Sequence, residues 1–181
     1  MLLAQECLST GFALFKKAPL THLVALLLVA VGGSVGMGIL TGPLLVGYAW
    51  LVERERKGET TSPTDVFKGF DAFVPALIVS LLGGLIVSIG YALMVIPGLL
   101  LSPLVPLGLW LVAQGERDGV GALKDAWGIL KNHLLEALLC SLALAFVAGL
   151  GAILCGVGVF LTLPIASIGS VCMAKRLAAG A

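Results

Sequence analysis

The sequence predicts an all-α, polytopic helical membrane protein. Six transmembrane helices are expected as three repeated units, each an interfacial amphipathic helix followed by a transmembrane hairpin. Three observations predict it. Residues 72–115 run for forty-four positions without Asp, Glu, Lys, Arg or His. A charge held at mid-bilayer costs about 3 kcal/mol and a helix crosses the hydrocarbon core in roughly 20 residues, so this run has the length of two crossings. All eleven Lys and Arg residues fall in four clusters between apolar blocks. Finally, Gly11-Phe12, Gly69-Phe70 and Gly128-Ile129 are separated by 58 and then 59 residues and each opens the same series of parts, the signature of a copied unit.

Composition agrees. With 59% hydrophobic and 12% charged residues and a mean hydropathy of +1.11, the chain has too little polar surface for a soluble globule. Residues 1–181 are read as a single membrane domain with repeats at about 3–58, 62–118 and 120–177. The start, Met1-Leu2-Leu3-Ala4-Gln5-Glu6, lacks the basic opening and small-residue cleavage site of a secretory signal, so no cleavage is expected.

In the first unit, Leu3, Cys7, Leu8, Phe12 and Phe15 recur at helical spacing opposite Gln5, Glu6, Ser9, Thr10 and Lys16. This is an amphipathic helix for the lipid boundary, with Lys16 and Lys17 at the headgroups. A first span follows over about 20–40, with His22 near its start and expected to reach the headgroups. A turn at Thr41-Gly42-Pro43 leads to a shorter span from about Leu44 to Val52. That helix is expected to continue through Glu53-Arg54-Glu55-Arg56-Lys57, with Arg54 and Arg56 snorkelling to the headgroups.

Gly58 then offers a stop, and Ser62-Pro63-Thr64-Asp65 offers a start: a Ser cap, Pro at the first helical position and an acid at the positive end of the dipole. Val66, Phe67, Phe70, Phe73 and Val74 form the apolar face of the second amphipathic helix, opposite Asp65, Lys68 and Asp71. The charge-free run folds back near Ile96-Pro97-Gly98, where Pro removes a backbone donor and Gly accepts a turn conformation.

The third unit begins after Gly115-Glu116-Arg117-Asp118-Gly119. Leu123, Ala126, Trp127, Leu130 and Leu134 oppose Lys124, Asp125 and Lys131. Spans then run from Leu134 to Leu154, through a turn at Gly156-Val157-Gly158, and on to Lys175-Arg176.

Each unit crosses twice, so the repeats are parallel. Lys and Arg sit on the shared side alone, which places both termini in the cytoplasm. Helices in lipid associate through small residues; Gly32 with Gly36, Ser80 with Gly84 and Ser88, and Ala145 with Gly149 provide such faces, to pack the spans or to join copies.

Sites for chemistry are few. Asn132, His133 and Glu136 form a polar cluster at the mouth of the fifth span, with Glu136 one turn beyond the other two; the alternatives are a shielded polar or metal site, or an entry turn satisfied at headgroup depth. Cys7, Cys140, Cys155 and Cys172 have no metal-site spacing and read as small apolar packing residues. No phosphate-binding loop, nucleophile elbow or zinc-protease motif occurs, so no cofactor, metal or enzymatic activity is expected. The basic clusters, mixed with acids, suit anionic lipid headgroups rather than nucleic acid.

Gly42-Pro43-Leu44, Arg56-Lys57-Gly58-Glu59, Asp65-Val66-Phe67-Lys68-Gly69-Phe70 and Ile96-Pro97-Gly98 resemble bacterial multispan integral membrane proteins related to the membrane domain of some glycerophosphodiester phosphodiesterases. The resemblance covers about residues 11–131 and implies a multispan helical fold in the inner membrane. No phosphodiesterase catalytic domain is present in the sequence, so that activity does not carry over. The functions left open are a non-enzymatic scaffold or accessory subunit with lipid-binding interfacial helices and a protein or homo-oligomeric partner, or a small pore, channel or exporter.

Overall fold

The protein was analysed as a computed structural model described over residues 2–35, 38–153 and 157–180. Among these residues the only regular secondary structure is helix, without strands. The helices are α1 (Leu2–Lys17), α2 (Pro19–Val35), α3 (Thr41–Arg56), a 3-10 helix (Pro63–Ala72), α4 (Phe73–Ile78), α5 (Gly84–Leu93), α6 (Val95–Leu101), α7 (Leu104–Ala113), α8 (Gly119–Asn132), α9 (Leu134–Ile153) and α10 (Val157–Ala179). One π turn, Val79–Gly83, joins α4 to α5.

Two stretches, Pro63–Leu93 and Val95–Ala113, are long and apolar enough to cross a membrane. The number rises to four if two sharply bent pairs are each read as one span: α1 with α2, at 103°, and α8 with α9, at 99°. In both pairs the amphipathic helix meets its apolar successor at nearly a right angle, the geometry expected where a surface-lying helix turns into lipid.

Helix ends follow the local chemistry. Ser62 precedes the 3-10 helix with Pro63 at its first position, and the Ser62 N–H donates to the Asp65 carboxylate at 2.9 Å. Gly58 and Gly115 end α3 and α7 with φ of +83° and +112°, a region closed to most side chains. The turn signals inside the apolar blocks fall differently from expectation. Thr41-Gly42-Pro43 opens α3, after a turn at Gly38 with φ +86°. Ile96-Pro97-Gly98 lies within the first turns of α6, and the chain breaks instead at Met94, whose backbone is extended. The reason is common to both: Pro in the first turn of a helix costs no hydrogen bond, because those N–H groups have no intrahelical acceptor. The expected turn at Gly156 lies outside the described residues; Val157 and Gly158 begin α10.

Helices α3, α7 and α10 contact one another and bury most of the large side chains, among them Tyr48, Leu51, Leu107, Ile168 and Met173. The apolar helices outside them are exposed on one side: Leu20, Val24, Leu27 and Val31 on α2, and Leu135, Leu139, Leu142 and Phe146 on α9. The amphipathic helices pack in a regular order, α1 on α10, the 3-10 helix on α3, and α8 on α7.

Close helix approach occurs at glycines other than most of those expected. Gly32 does abut α3, since a Cβ there would sit 2.6 Å from a methyl of Leu44. Gly36 lies outside the described residues. Gly84 and Gly149 have nothing within 4 Å of a Cβ position among the described residues, so neither draws the described helices together. The tightest crossing is Gly47 of α3 against Gly69 of the 3-10 helix, where a Cβ on either would collide with a backbone carbonyl, that of Val66 or of Pro43.

Candidate functional site

The charged end of α3 is not a row of solvated side chains. Glu53 and Glu55 point to opposite sides of α3, but neighbouring elements cover both and leave each only 5% exposed, and a buried carboxylate must be paired. Glu53 accepts a hydrogen bond from Lys175 Nζ of α10 at 2.6 Å, with Arg56 Nη1 at 3.5 Å on its other oxygen. Glu55 accepts from Thr61 Oγ1 at 3.1 Å, and its second oxygen lies 2.7 Å from His22 Nε2 of α2. His22 is wholly buried, and its Nδ1 lies 3.2 Å from the Tyr48 hydroxyl. With Nε2 facing a carboxylate, a neutral His22 holds its proton on Nε2 and accepts from Tyr48 through Nδ1. The expectation that His22 reaches the headgroups is therefore corrected: it is buried, and α3 supplies it with two partners.

The arrangement binds α2, α3 and α10 into one polar junction. Arg176 extends it to α1 through Glu6 at 3.1 Å. Arg54 reaches Glu59 and, at 3.7 Å, Asp65, and Lys68 holds Asp65 at 2.7 Å. The Lys68 ammonium, and then the Ser62 N–H, keep the Asp65 carboxyl below its ordinary value. Arg54, Arg56, Lys68, Lys175 and Arg176, expected at the headgroups, are thus engaged with carboxylates of the chain. Lys16, Lys17, Lys57, Arg117, Lys124 and Lys131 are exposed and make no ion pair among the described residues. Lys16 instead lies 4.7 Å from the centre of the Phe12 ring.

The predicted polar cluster is modest. His133 caps α8 at the bend into α9, with Nδ1 3.5 Å from Glu136, which is 61% exposed. Asn132 is exposed. Among the described residues no group of His, Cys, Asp and Glu is arranged to hold a metal ion.

The cysteines meet in a way their spacing concealed. Cys7 on α1 approaches Cys140 on α9 and Cys172 on α10, and all three are free and buried. Cys155 lies outside the described residues.

Cavities among the described residues adjoin the core. One of about 120 Å³ lies between α3, α7 and α10, bordered by Tyr48, Pro106, Ser167 and Ser170. Another, of about 240 Å³, lies beside the Gly47/Gly69 crossing.

No protein-family profile, curated protein or solved structure matches the chain.

Proposed function

We propose that the chain is a non-enzymatic membrane scaffold or accessory subunit of a bacterial inner membrane. It crosses the bilayer six times as three parallel copies of one unit, with both termini in the cytoplasm. The observation that carries this reading is the cyclic order of packing: each amphipathic helix seats on the second apolar helix of the preceding unit, with α1 closing the ring on α10. Such closure is what three copies of one hairpin unit produce around an axis near the membrane normal. The exposed apolar stripes of α2 and α9 face lipid, and the six unpaired cations rim the cytoplasmic side.

On that rim each cation attracts anionic headgroups by about 1 kcal/mol. Gly84 and Gly149, open within the chain, admit a helix of a protein partner or of a second copy. Native mass spectrometry from mixed-lipid nanodiscs tests the role: the protein is expected to retain anionic over neutral lipid. A variant with Gln at Lys16, Lys17, Lys57, Arg117, Lys124 and Lys131 should lose that preference. Equal retention of both lipids by the unaltered protein defeats the reading, as does the absence of any partner or second copy after mild crosslinking in the membrane.

The axial cavity of about 120 Å³, with Pro106 at its wall and Pro164 inside α10, favours a second reading, a gated exporter. Solute efflux from sealed vesicles would establish it, and vesicles that hold their contents would remove it.

A further inference from the structure

The cavity beside the Gly47/Gly69 crossing carries an inference about which lipid the protein recognises. Because neither glycine bears a side chain, the 3-10 helix lies directly on α3, and the space beside the contact, about 240 Å³, is walled by Val46, Trp50, Lys68, Asp71, Val112 and Ala113. In a 3-10 helix, side chains three residues apart eclipse, with a rise of about 2 Å per residue. Asp65, Lys68 and Asp71 therefore form one column with steps of roughly 6 Å.

The column is unbalanced. Lys68 donates one of its three N–H groups to Asp65 at 2.7 Å, and its Nζ lies 5.1 Å from the centre of the Trp50 ring. Arg54, 5.0 Å from the same ring, is already engaged by Glu59 and Asp65. Asp71 has no ion pair or side-chain hydrogen bond among the described residues. The cavity thus presents, one 3-10 turn apart, a cation with spare donors and a carboxylate with no cation, over an apolar floor.

We propose that this cavity is a site for a zwitterionic phosphoethanolamine headgroup. The phosphate accepts from Lys68, the primary ammonium donates to Asp71 across the short two-carbon link, and the glycerol end lies against Val112 and Ala113. A choline headgroup fills the space less well, since its quaternary nitrogen has no N–H for Asp71. A glycerol headgroup brings no positive charge. Phe67, Phe70 and Val74, exposed on the same stretch of helix, sit where acyl chains begin, so the source is membrane lipid rather than free phosphoethanolamine. The inference rests on the reading of the 3-10 helix as interfacial.

Native mass spectrometry of the full chain from nanodiscs of phosphatidylethanolamine, phosphatidylcholine and phosphatidylglycerol provides the test. One ethanolamine lipid should be retained over choline lipid by about tenfold, the worth of one charge-assisted hydrogen bond. D71N should abolish that preference while leaving the phosphatidylglycerol shell unchanged, and K68Q should weaken both zwitterionic lipids. Both residues are exposed, and an unchanged melting temperature will show that the variants fold. Equal retention of ethanolamine and choline lipid by the unaltered protein overturns the proposal, as does undiminished preference in D71N. Displacement of the bound lipid by soluble phosphoethanolamine would overturn the lipid assignment, and resistance to it supports the assignment. The scaffold reading fails by a separate outcome, loss of the anionic shell, which D71N does not touch.

Discussion

Glu55 and His22 illustrate at the residue scale how a carboxylate survives inside an apolar bundle. Removing one partner of a buried pair leaves the other desolvated and unmatched, at a cost of about 3–5 kcal/mol, whereas replacing both by apolar side chains of similar volume is often neutral. E55A should therefore lower stability by about 3 kcal/mol, and H22L combined with E55M should recover most of that loss. Thermal or denaturant unfolding in detergent would measure both, and equal instability of the double variant would show that the pair does more than satisfy itself.

Asp65 makes a prediction about pH. Its carboxyl titrates below the ordinary 3.8, chiefly because of Lys68 and then the Ser62 N–H. A carboxyl depressed in the folded state contributes stability that is present above the unfolded value and is lost as pH falls through the folded one. The stability difference between the unaltered protein and D65N should therefore be constant at pH values well above 3.8 and close below it. A difference that grew on acidification would contradict the pairing.

At the scale of elements, the glycines separate into those that hold helices together and those that do not. G47A or G69A would drive a methyl into a backbone carbonyl and force the 3-10 helix off α3, so either should fail to give a monodisperse protein on size exclusion. G84A and G149A meet no obstacle among the described residues, and replacing Gly by Ala inside a helix gains up to about 1 kcal/mol. Both variants should melt at or above the temperature of the unaltered protein. The cysteines mark a second contact between elements: Cys7, Cys140 and Cys172 are buried where α1 packs on α9 and α10. Alkylation mapped peptide by peptide should leave these three unmodified in the folded protein and modify them after denaturation.

Over the whole molecule, the reading turns on sidedness. Single cysteines replacing Lys17, Lys57 and Arg117 in a background free of other thiols should all react with an impermeant maleimide from one side of an oriented membrane. One reacting from the opposite side would end the three-unit topology and the roles built on it.

The amino-acid order alone determined that the described chain is helical and rich in apolar segments of membrane-spanning length. It also located the amphipathic segments at α1, the 3-10 helix and α8, and the charged continuation of α3. These are legible because hydropathy, period and capping chemistry act between residues a few positions apart. Turn positions were displaced at Met94 and Gly38, since Pro and Gly serve a helix's first turn as readily as a loop. What only the tertiary structure decided is which charges are solvated and which are spoken for. Glu53 and Lys175 are separated by 122 residues, and Cys7, Cys140 and Cys172 sit on three helices. The same holds for Gly47 and Gly69, which look no different in sequence from Gly84 and Gly149. Periodicity reports how polar a helix face is, but whether a charge on that face meets water, lipid or a counter-charge depends on a partner that the chain brings up from elsewhere.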